Sequence, residues 1–186
     1  RLMPGAKNRT LGLVGFGGIG TEVAKRAVPF GMKVIYFCRH PNLADDAAYG
    51  VQSVSMEELL KESDYVVAAV PLTDQTFHLF NEECIAQMKA GSVLINIARG
   101  PVVDEEALAQ ALASGHLGGC AVDVFPKEPC TDSVLTRYSN ALLTPHSATS
   151  TAENSKATNF AAANNLVNYL KKDIDAKYVV VQGTRY

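Results

Sequence analysis

The sequence has 186 residues, of which 47% are hydrophobic and 19% are charged, as is usual for a globular protein. This length favours one domain, or one domain with an appendage, and no run of about 20 apolar residues is present to span a membrane. The formal net charge of −2 gives no indication of a nucleic-acid partner. No CxxC pair occurs, so neither a metal site nor a disulfide framework is predicted, and a reducing, cytoplasmic compartment fits the four cysteines, Cys38, Cys84, Cys120 and Cys130.

Short apolar runs recur along the chain, and stretches with helical patterning separate them. The runs are rich in Val and Ile and are apolar on both faces, which is typical of buried parallel strands. The predicted strands are, in chain order, Leu11–Val14, Lys33–Phe37, Asp64–Val70, Ser92–Asn96, Gly119–Asp123 and Ala141–Thr144.

Helix signals lie between these runs. Ser, Asn and Asp begin helices because their side chains accept hydrogen bonds from the first free backbone N–H groups. The predicted helices are one from Gly18 toward Phe30, one from a capping box at Ser55-Met56-Glu57-Glu58, one from Asn81 to Met88, one from Asp104 to Gly115, and a long one over 151–171. The alternation of strands and helices predicts an α/β fold, a doubly wound parallel sheet with helices on both faces. The tail Lys177–Val181 is predicted to be extended.

A glycine-rich loop follows the first predicted strand and opens the first helix. Gly15, Gly17 and Gly20 match the pattern G-x-G-x-x-G, with Gly18 and Ile19 between the last two. The first glycine permits a tight turn, the second lets the backbone approach a pyrophosphate, and the third lets the helix pack on the strand. The free N–H groups of the helix N-terminus then favour phosphate, so we predict a dinucleotide site rather than a glycine turn without a ligand.

The residue after the second strand selects the nucleotide. NAD sites usually place Asp or Glu there to bond the ribose hydroxyls, whereas this chain has Cys38, Arg39 and His40. No carboxylate is present to repel a 2′-phosphate, and Arg39 could form charge-assisted bonds to it. We therefore favour NADP(H) as the cofactor, with NAD(H) as the alternative.

Three charged side chains follow the later strands. Arg99, Glu128 and His146 come after the fourth, fifth and sixth strands, and the carboxyl ends of such strands form the ligand crevice. A planar guanidinium can grip the carboxylate and carbonyl of a 2-keto acid. A histidine can supply the proton that the carbonyl oxygen needs after hydride transfer, and a carboxylate partner can hold its ring. The three residues together predict catalysis rather than scattered surface charges.

The motifs resemble the cofactor-binding, Rossmann-type domain of the D-isomer-specific 2-hydroxyacid dehydrogenases over about residues 10–150. The segments that carry the resemblance are Thr10–Gly20, Val70–Thr73, Gly91–Gly100, Val103–Leu108, Gly115–Pro129 and Thr144–His146. The resemblance implies that Arg99 binds the substrate, that His146 is the general acid and base, that Glu128 pairs with it, and that Asp123 contacts the nicotinamide carboxamide. It also assigns four further residues to the cofactor site: Val70, Pro71, Ile97 and Ala98.

The resemblance further implies a dinucleotide-binding domain over 1–150 and, over 151–186, a helix and tail that would return to a substrate-binding domain. Members of this family begin with such a domain of roughly 100 residues, which this sequence lacks. We therefore expect an NADP(H)-dependent reductase of glyoxylate or hydroxypyruvate type, a cytoplasmic homodimer, of which these residues alone bind cofactor with little turnover. The alternatives are an NAD-dependent D-3-phosphoglycerate-type dehydrogenase and a dinucleotide-sensing co-repressor.

Overall fold

The computed structural model describes residues 5–41, 43–175 and 178. They belong to two compact units, one ending at His146 and the other beginning at Ser147. The strands are β1 (Thr10–Val14), β2 (Lys33–Phe37), β3 (Gln52–Ser53), β4 (Tyr65–Ala68), β5 (Val93–Asn96), β6 (Gly119–Val122) and β7 (Ala141–Leu143). The helices are α1 (Gly18–Ala27), α2 (Leu43–Tyr49), α3 (Met56–Glu62), α4 (Glu82–Ala86), α5 (Glu105–Ala113) and α6 (Ala152–Leu170).

The first unit is built on a seven-stranded sheet in which every pair of neighbouring strands is parallel. The strand order is β3-β2-β1-β4-β5-β6-β7, so the chain leaves β1 in one direction and returns to its other side at β4. Gly12 of β1 lies opposite Ile35 on one side and Val66 on the other. The order reverses at β1, and in open α/β sheets ligands bind at the carboxyl ends of the strands at such a point.

Both faces of the sheet are covered. The adjacent residues Leu13 and Val14 are fully buried but belong to different hydrophobic clusters, because successive strand side chains point to opposite faces. Ala24 of α1 packs in the cluster of Leu13, and Leu108 of α5 packs in the cluster of Val14. The predicted doubly wound α/β sheet with helices on both faces is confirmed.

Side-chain caps start three of the helices where the sequence predicts them. The Ser55 side chain accepts a hydrogen bond from the backbone N–H of Glu58 at 3.1 Å. Asn81 accepts one from the N–H of Cys84 at 2.9 Å. Asp104 accepts two, from the N–H groups of Glu106 and Ala107 at 3.1 and 3.2 Å. These acceptors satisfy N–H groups that have no partner within the helix.

Two elements were not predicted from the sequence, the short helix α2 and the edge strand β3. The strand escaped prediction because it is only two residues long, with Gln52 exposed, and has no apolar run. The first helix also ends earlier than predicted, at Ala27, and a 3-10 turn over Val28–Phe30 follows. Pro29 in that turn has no backbone N–H for an α-helical bond. The tail predicted to be extended, Lys177–Val181, lies outside the described residues apart from Tyr178.

The second unit consists mainly of α6, which has 19 residues. The Thr151 side chain caps it by accepting a hydrogen bond from the N–H of Asn154 at 3.1 Å. The helix predicted over 151–171 is therefore confirmed. None of its residues is buried. Among the described residues, no helix is both long and apolar enough to cross a membrane.

Asp64 connects three neighbouring strands at their amino ends. Its carboxylate accepts the backbone N–H of Thr10 at 2.9 Å and forms ion pairs with Lys89 at 2.9 Å and Arg9 at 3.1 Å. Burial alone would raise the pKa of this carboxyl, but the Thr10 N–H and the two cations outweigh it and hold the pKa below its usual value. The ionised form therefore stabilises the fold above about pH 4, and this contribution is lost as the pH falls through the lowered pKa.

We expect Asp64→Asn to lower the free energy of unfolding by about 1–3 kcal/mol at pH 7, because it removes charge-assisted bonds from a largely buried group. Urea unfolding at pH 7 and at pH 3 should show a smaller difference from the wild type at the lower pH. The control is Glu57→Gln: Lys61 also lowers the pKa of Glu57, but both side chains are exposed, and little change is expected. An equal loss of stability at both pH values would contradict the prediction.

Candidate functional site

The glycine loop between β1 and α1 has the close contacts that its glycines predict. Gly15 has a φ of 102°, and a Cβ atom there would lie 2.5 Å from the backbone oxygen of Ala69. A Cβ on Gly20 would collide with the carbonyl oxygen of Gly15. Larger residues at either position would force the loop away from the sheet. The neighbouring ring of Phe16 stacks on buried Tyr36 of β2, with ring centroids 4.0 Å apart. This contact holds the loop against β2.

The N-terminus of α1 is open to a ligand. Gly17 is its N-cap residue, no described side chain caps it, and its first turn contains no acidic residue. A Cβ built on Gly17 or on Gly18 meets no atom within 4 Å, so space for a bound group lies beside both. Free N–H groups and the positive end of the helix dipole face that space. These features fit the diphosphate of a dinucleotide.

A cleft of about 390 Å³, which we call the Arg39 cleft, lies beside the glycine loop. It brings Cys38, Arg39 and His40 together with Gly15 and Gly17. The remaining lining residues come from β1, the glycine loop, β2 and the segment after β4: Val14, Phe16, Phe37, Ala69, Val70, Pro71, Thr73, Gln75, Thr76 and Leu79.

The guanidinium of Arg39 has a partner that the sequence analysis did not identify. Its Nη1 group donates a hydrogen bond to Oε1 of Gln75 at 3.1 Å. Gln75 lies in the turn after β4, 36 positions along the chain. No local motif singles it out, because the contact depends on the pairing of β1 with β2 and β4.

A second cleft, of about 460 Å³, contains Arg99 and is called the Arg99 cleft. Its lining residues are Ile19, Ala69, Val70, Pro71, Leu72, Ile97, Ala98 and Arg99. Val70 and Pro71 line this cleft and the Arg39 cleft, so the two are neighbours. Six of the predicted site residues therefore lie around the Arg99 cleft.

Buried Asn96, at the end of β5, shapes the loop that carries Arg99. Its side-chain amide donates to the backbone oxygen of Arg99 at 3.1 Å, and its Oδ1 accepts the N–H of Ala98 at 3.1 Å. The Arg99 side chain turns back to donate to the oxygen of Ala98 at 2.6 Å. Asn96 was not predicted as a site residue, although a polar side chain at the end of an apolar strand can indicate a residue that shapes the ligand crevice.

Glu128 and His146 form a direct pair. Nδ1 of His146 lies 2.7 Å from Oε2 of Glu128, and Oε1 of Glu128 accepts the backbone N–H of Phe125 at 2.9 Å. The bond to His146, followed by that to Phe125, lowers the pKa of the Glu128 carboxyl, and the charge of Arg99 adds to the effect. The carboxylate is thus kept ionised and able to hold the imidazole.

The pair lines a third cleft, of about 280 Å³, called the His146 cleft, which extends toward Cys130 and Thr136. His146 directly follows Pro145 after β7 and has a φ of 50°, which turns the chain sharply at this point. Arg99 and His146 line different clefts, but the effect of Arg99 on the Glu128 pKa places its charge within electrostatic range of the pair.

Asp123 follows β6 and is held by the neighbouring loop. The hydroxyl of Thr144 donates to its Oδ1 at 2.6 Å. Thr144 was not predicted as a site residue, although it lies two positions before His146. Since Thr144 follows β7 directly, the loops that carry Asp123 and His146 are tied together.

The other two histidines lie elsewhere. Nε2 of His116 is 3.0 Å from the backbone oxygen of Ile85, and Nδ1 of His78 is 3.6 Å from a carboxylate oxygen of Asp104. Neither lines any of the three clefts. Within residues 5–41, 43–175 and 178, no group of three or more His, Cys, Asp or Glu side chains is arranged to hold a metal ion.

Comparison with known proteins identifies the architecture. Residues 2–148 match the family model described as D-isomer specific 2-hydroxyacid dehydrogenase, NAD binding domain. The chain is 41% identical to a glyoxylate reductase of Thermococcus litoralis over 175 residues, which are 94% of this chain and 53% of that protein. It is 45% identical to a hydroxypyruvate reductase of Thermotoga maritima over 148 residues, 78% of this chain and 47% of that protein.

A solved structure shares the fold. The D-lactate dehydrogenase of Aquifex aeolicus, in complex with NAD and lactic acid, is similar with a TM-score of 0.87 and 32% sequence identity. The match covers 98% of this chain and 60% of that one. The chain spans about half the length of the curated relatives that it matches. The resemblance inferred from the glycine loop and the strand-end segments is confirmed.

Proposed function

This chain belongs to the D-isomer specific 2-hydroxyacid dehydrogenase family, and on that premise we propose that it is the cofactor-binding part of an oxidoreductase. The reaction is hydride transfer between NADP(H) and a small 2-keto or D-2-hydroxy acid of the glyoxylate or hydroxypyruvate kind. The observation that carries the proposal is the 2.7 Å contact between His146 and Glu128, made within the electrostatic range of Arg99. A proton donor, its anionic partner and a carboxylate-binding cation are the groups that this reduction requires.

The glycine loop and the walls of the clefts would hold the dinucleotide. Free N–H groups at the start of α1 would bind the diphosphate. Asp123, held by Thr144, would accept a hydrogen bond from the amide group of the nicotinamide carboxamide. When bound, the reduced cofactor supplies the hydride. The residues assigned to the diphosphate and to the walls around the nicotinamide are Gly15, Gly17, Gly18, Ile19, Gly20, Val70, Pro71, Ile97 and Ala98.

On the substrate side, the guanidinium of Arg99 binds the carboxylate and the carbonyl oxygen of the 2-keto acid and polarises the carbonyl. Nε2 of His146 donates the proton that the oxygen takes up as the carbonyl carbon is reduced. Glu128 accepts a hydrogen bond from Nδ1–H, which orients the ring with Nε2 toward the substrate oxygen. In the oxidation direction, the same nitrogen accepts the hydroxyl proton.

The preference for NADP(H) rests on Cys38, Arg39 and His40 in the Arg39 cleft. None of the three is a carboxylate, and Arg39 adds a positive charge where a 2′-phosphate would lie. NAD(H) is the alternative cofactor, since the similar lactate dehydrogenase was solved with NAD.

Titration of the 186-residue chain with NADPH and NADH tests this preference. We expect the wild type to bind NADPH more tightly and Arg39→Ala to raise the Kd for NADPH by about tenfold or more, because a charge-assisted bond is lost. The Kd for NADH should change by less than about twofold. Arg137→Ala, outside the clefts, is the control. Tighter binding of NADH that survives Arg39→Ala would refute the assignment.

We further propose that the dinucleotide domain covers 1–150, that 151–186 is the helix and tail returning to a substrate-binding domain, and that the enzyme is a cytoplasmic homodimer. On this proposal the 186 residues hold the cofactor and form one wall of a substrate cleft, and a closing domain normally excludes water from such a site. The isolated chain should therefore reduce glyoxylate slowly or not at all. Light scattering of the purified chain tests the dimer.

A further inference from the structure

A neutral side chain contacts the arginine to which we assign cofactor selection. Gln75 accepts the Nη1–H of Arg39 at 3.1 Å, and both side chains line the Arg39 cleft. Arg39 follows β2 and Gln75 follows β4, so the bond connects loops on either side of β1. It orients one edge of the guanidinium, and because that group has several N–H donors, it can bind a further acceptor as well.

Hydrogen bonds within the turn determine the position of Gln75. The hydroxyl of Thr76 donates to the backbone oxygen of Pro71 at 2.7 Å and accepts the N–H of Thr73 at 2.8 Å. The N–H of Phe77 donates to the oxygen of Thr73 at 2.9 Å. These bonds hold the backbone of the turn, so little backbone ordering around Gln75 is needed on binding.

The absence of charge on Gln75 matters for the ligand. A carboxylate at this position would pair with the guanidinium and repel a phosphate. The neutral amide oxygen of Gln75 orients the same guanidinium but does not neutralise its positive charge. The adjacent Asp74 is not among the residues that line the Arg39 cleft.

We propose that Gln75 is a specificity-determining residue, which aims Arg39 at the 2′-phosphate of NADP(H) and, being neutral, keeps the guanidinium available to it. Gln75 is a positioning residue, since it acts through Arg39. This inference rests on the proposed function, in which the chain prefers NADP(H).

The test is a double-mutant cycle on the 186-residue chain. Kd values for NADPH and NADH are measured by calorimetry for the wild type, Gln75→Glu, Arg39→Ala and the double variant, with Tm as a check of folding. We expect Gln75→Glu to raise the Kd for NADPH about tenfold and to change that for NADH by less than about twofold. In the Arg39→Ala background the effect on NADPH should fall below about threefold, because the pairing partner is gone.

Gln52→Glu is the matched control, since it adds the same charge on exposed β3, outside the Arg39 cleft. It should leave both Kd values unchanged. Equal weakening of NADPH and NADH by Gln75→Glu would overturn the inference, since it would indicate a general disturbance of the cleft.

Two further outcomes separate this inference from the proposed function. If Arg39→Ala weakens NADPH but Gln75→Glu does not, the role of Gln75 is refuted and the NADP(H) preference stands. If Arg39→Ala leaves the ratio of the two Kd values unchanged, both are refuted. Should Gln75→Glu fail to fold, Gln75→Met removes the acceptor without adding charge and should raise the Kd for NADPH about threefold; an unchanged Kd would again refute the role.

Discussion

Replacement of His146 by alanine is expected to lower kcat for glyoxylate reduction by on the order of 10²–10⁴-fold, because the substrate oxygen loses its proton donor. The Kd for NADPH should stay within about twofold of the wild type, since His146 does not line the Arg39 or Arg99 clefts. The measurement requires a polypeptide that carries this chain together with a substrate-binding domain. Steady-state kinetics and a cofactor titration on the same preparation separate the two effects.

His78→Ala is a close control for this variant. His78 also has a positive φ, of 47°, and also lies beside a carboxylate, 3.6 Å from Asp104. Both variants therefore remove a positive-φ histidine that lies beside a carboxylate, but His78→Ala leaves the clefts intact. An equal loss of kcat in both variants would contradict the catalytic role. Unchanged turnover in His146→Ala, with nucleotide-dependent capture of a partner protein, would instead favour the co-repressor alternative.

Gly17→Asp is expected to weaken dinucleotide binding strongly without unfolding the chain. The new carboxylate would occupy the N-cap position of α1, where it can accept the free N–H groups and favour the helix. The carboxylate would thereby occupy the N–H donors that the diphosphate needs, and its negative charge would repel the diphosphate. We expect the Kd for both NADPH and NADH to rise by on the order of 100-fold, since charge-assisted bonds are lost and repulsion is added. Tm should be unchanged or slightly higher.

Gly17→Ala isolates the effect of the charge. A Cβ at this position meets no atom within 4 Å, and the Gly17 φ of −91° suits any residue. This variant should fold normally and weaken both cofactors far less than Gly17→Asp does. Retention of normal cofactor affinity by Gly17→Asp would show that the diphosphate does not bind at this helix end.

Features that depend on neighbouring residues were predictable from the sequence. Gly15 and Gly20 occupy a tight turn and a close approach that only glycine fits, so their spacing alone indicates the loop. The caps at Ser55, Asn81 and Asp104 act over two or three positions, and all three are found where they were predicted. Apolar runs likewise gave six of the seven strands, because a buried parallel strand requires apolar residues on both faces.

Features that depend on contacts between distant segments were not predictable in this way. Gln75 meets Arg39 only because β2 and β4 flank β1. Thr144 donates a hydrogen bond to Asp123 because β6 and β7 are neighbours in the sheet. The separation of the two residues in the sequence does not by itself indicate the contact. The edge strand β3 is stabilised by pairing with β2 rather than by its own apolar character. Pairing energies of this kind are not encoded in local patterns.

The strand order also separates two properties of the proposed enzyme. The side chains assigned to cofactor selection follow β2 and β4, whereas those assigned to the chemistry follow β5, β6 and β7, toward the opposite edge of the sheet. Among the lining residues, the wall formed by Ala69, Val70 and Pro71 is what the Arg39 and Arg99 clefts share. We therefore expect substitutions around Arg39 to change the preferred dinucleotide while the reaction stays the same. The sheet is in this sense modular, and cofactor choice and substrate chemistry can evolve, or be engineered, independently.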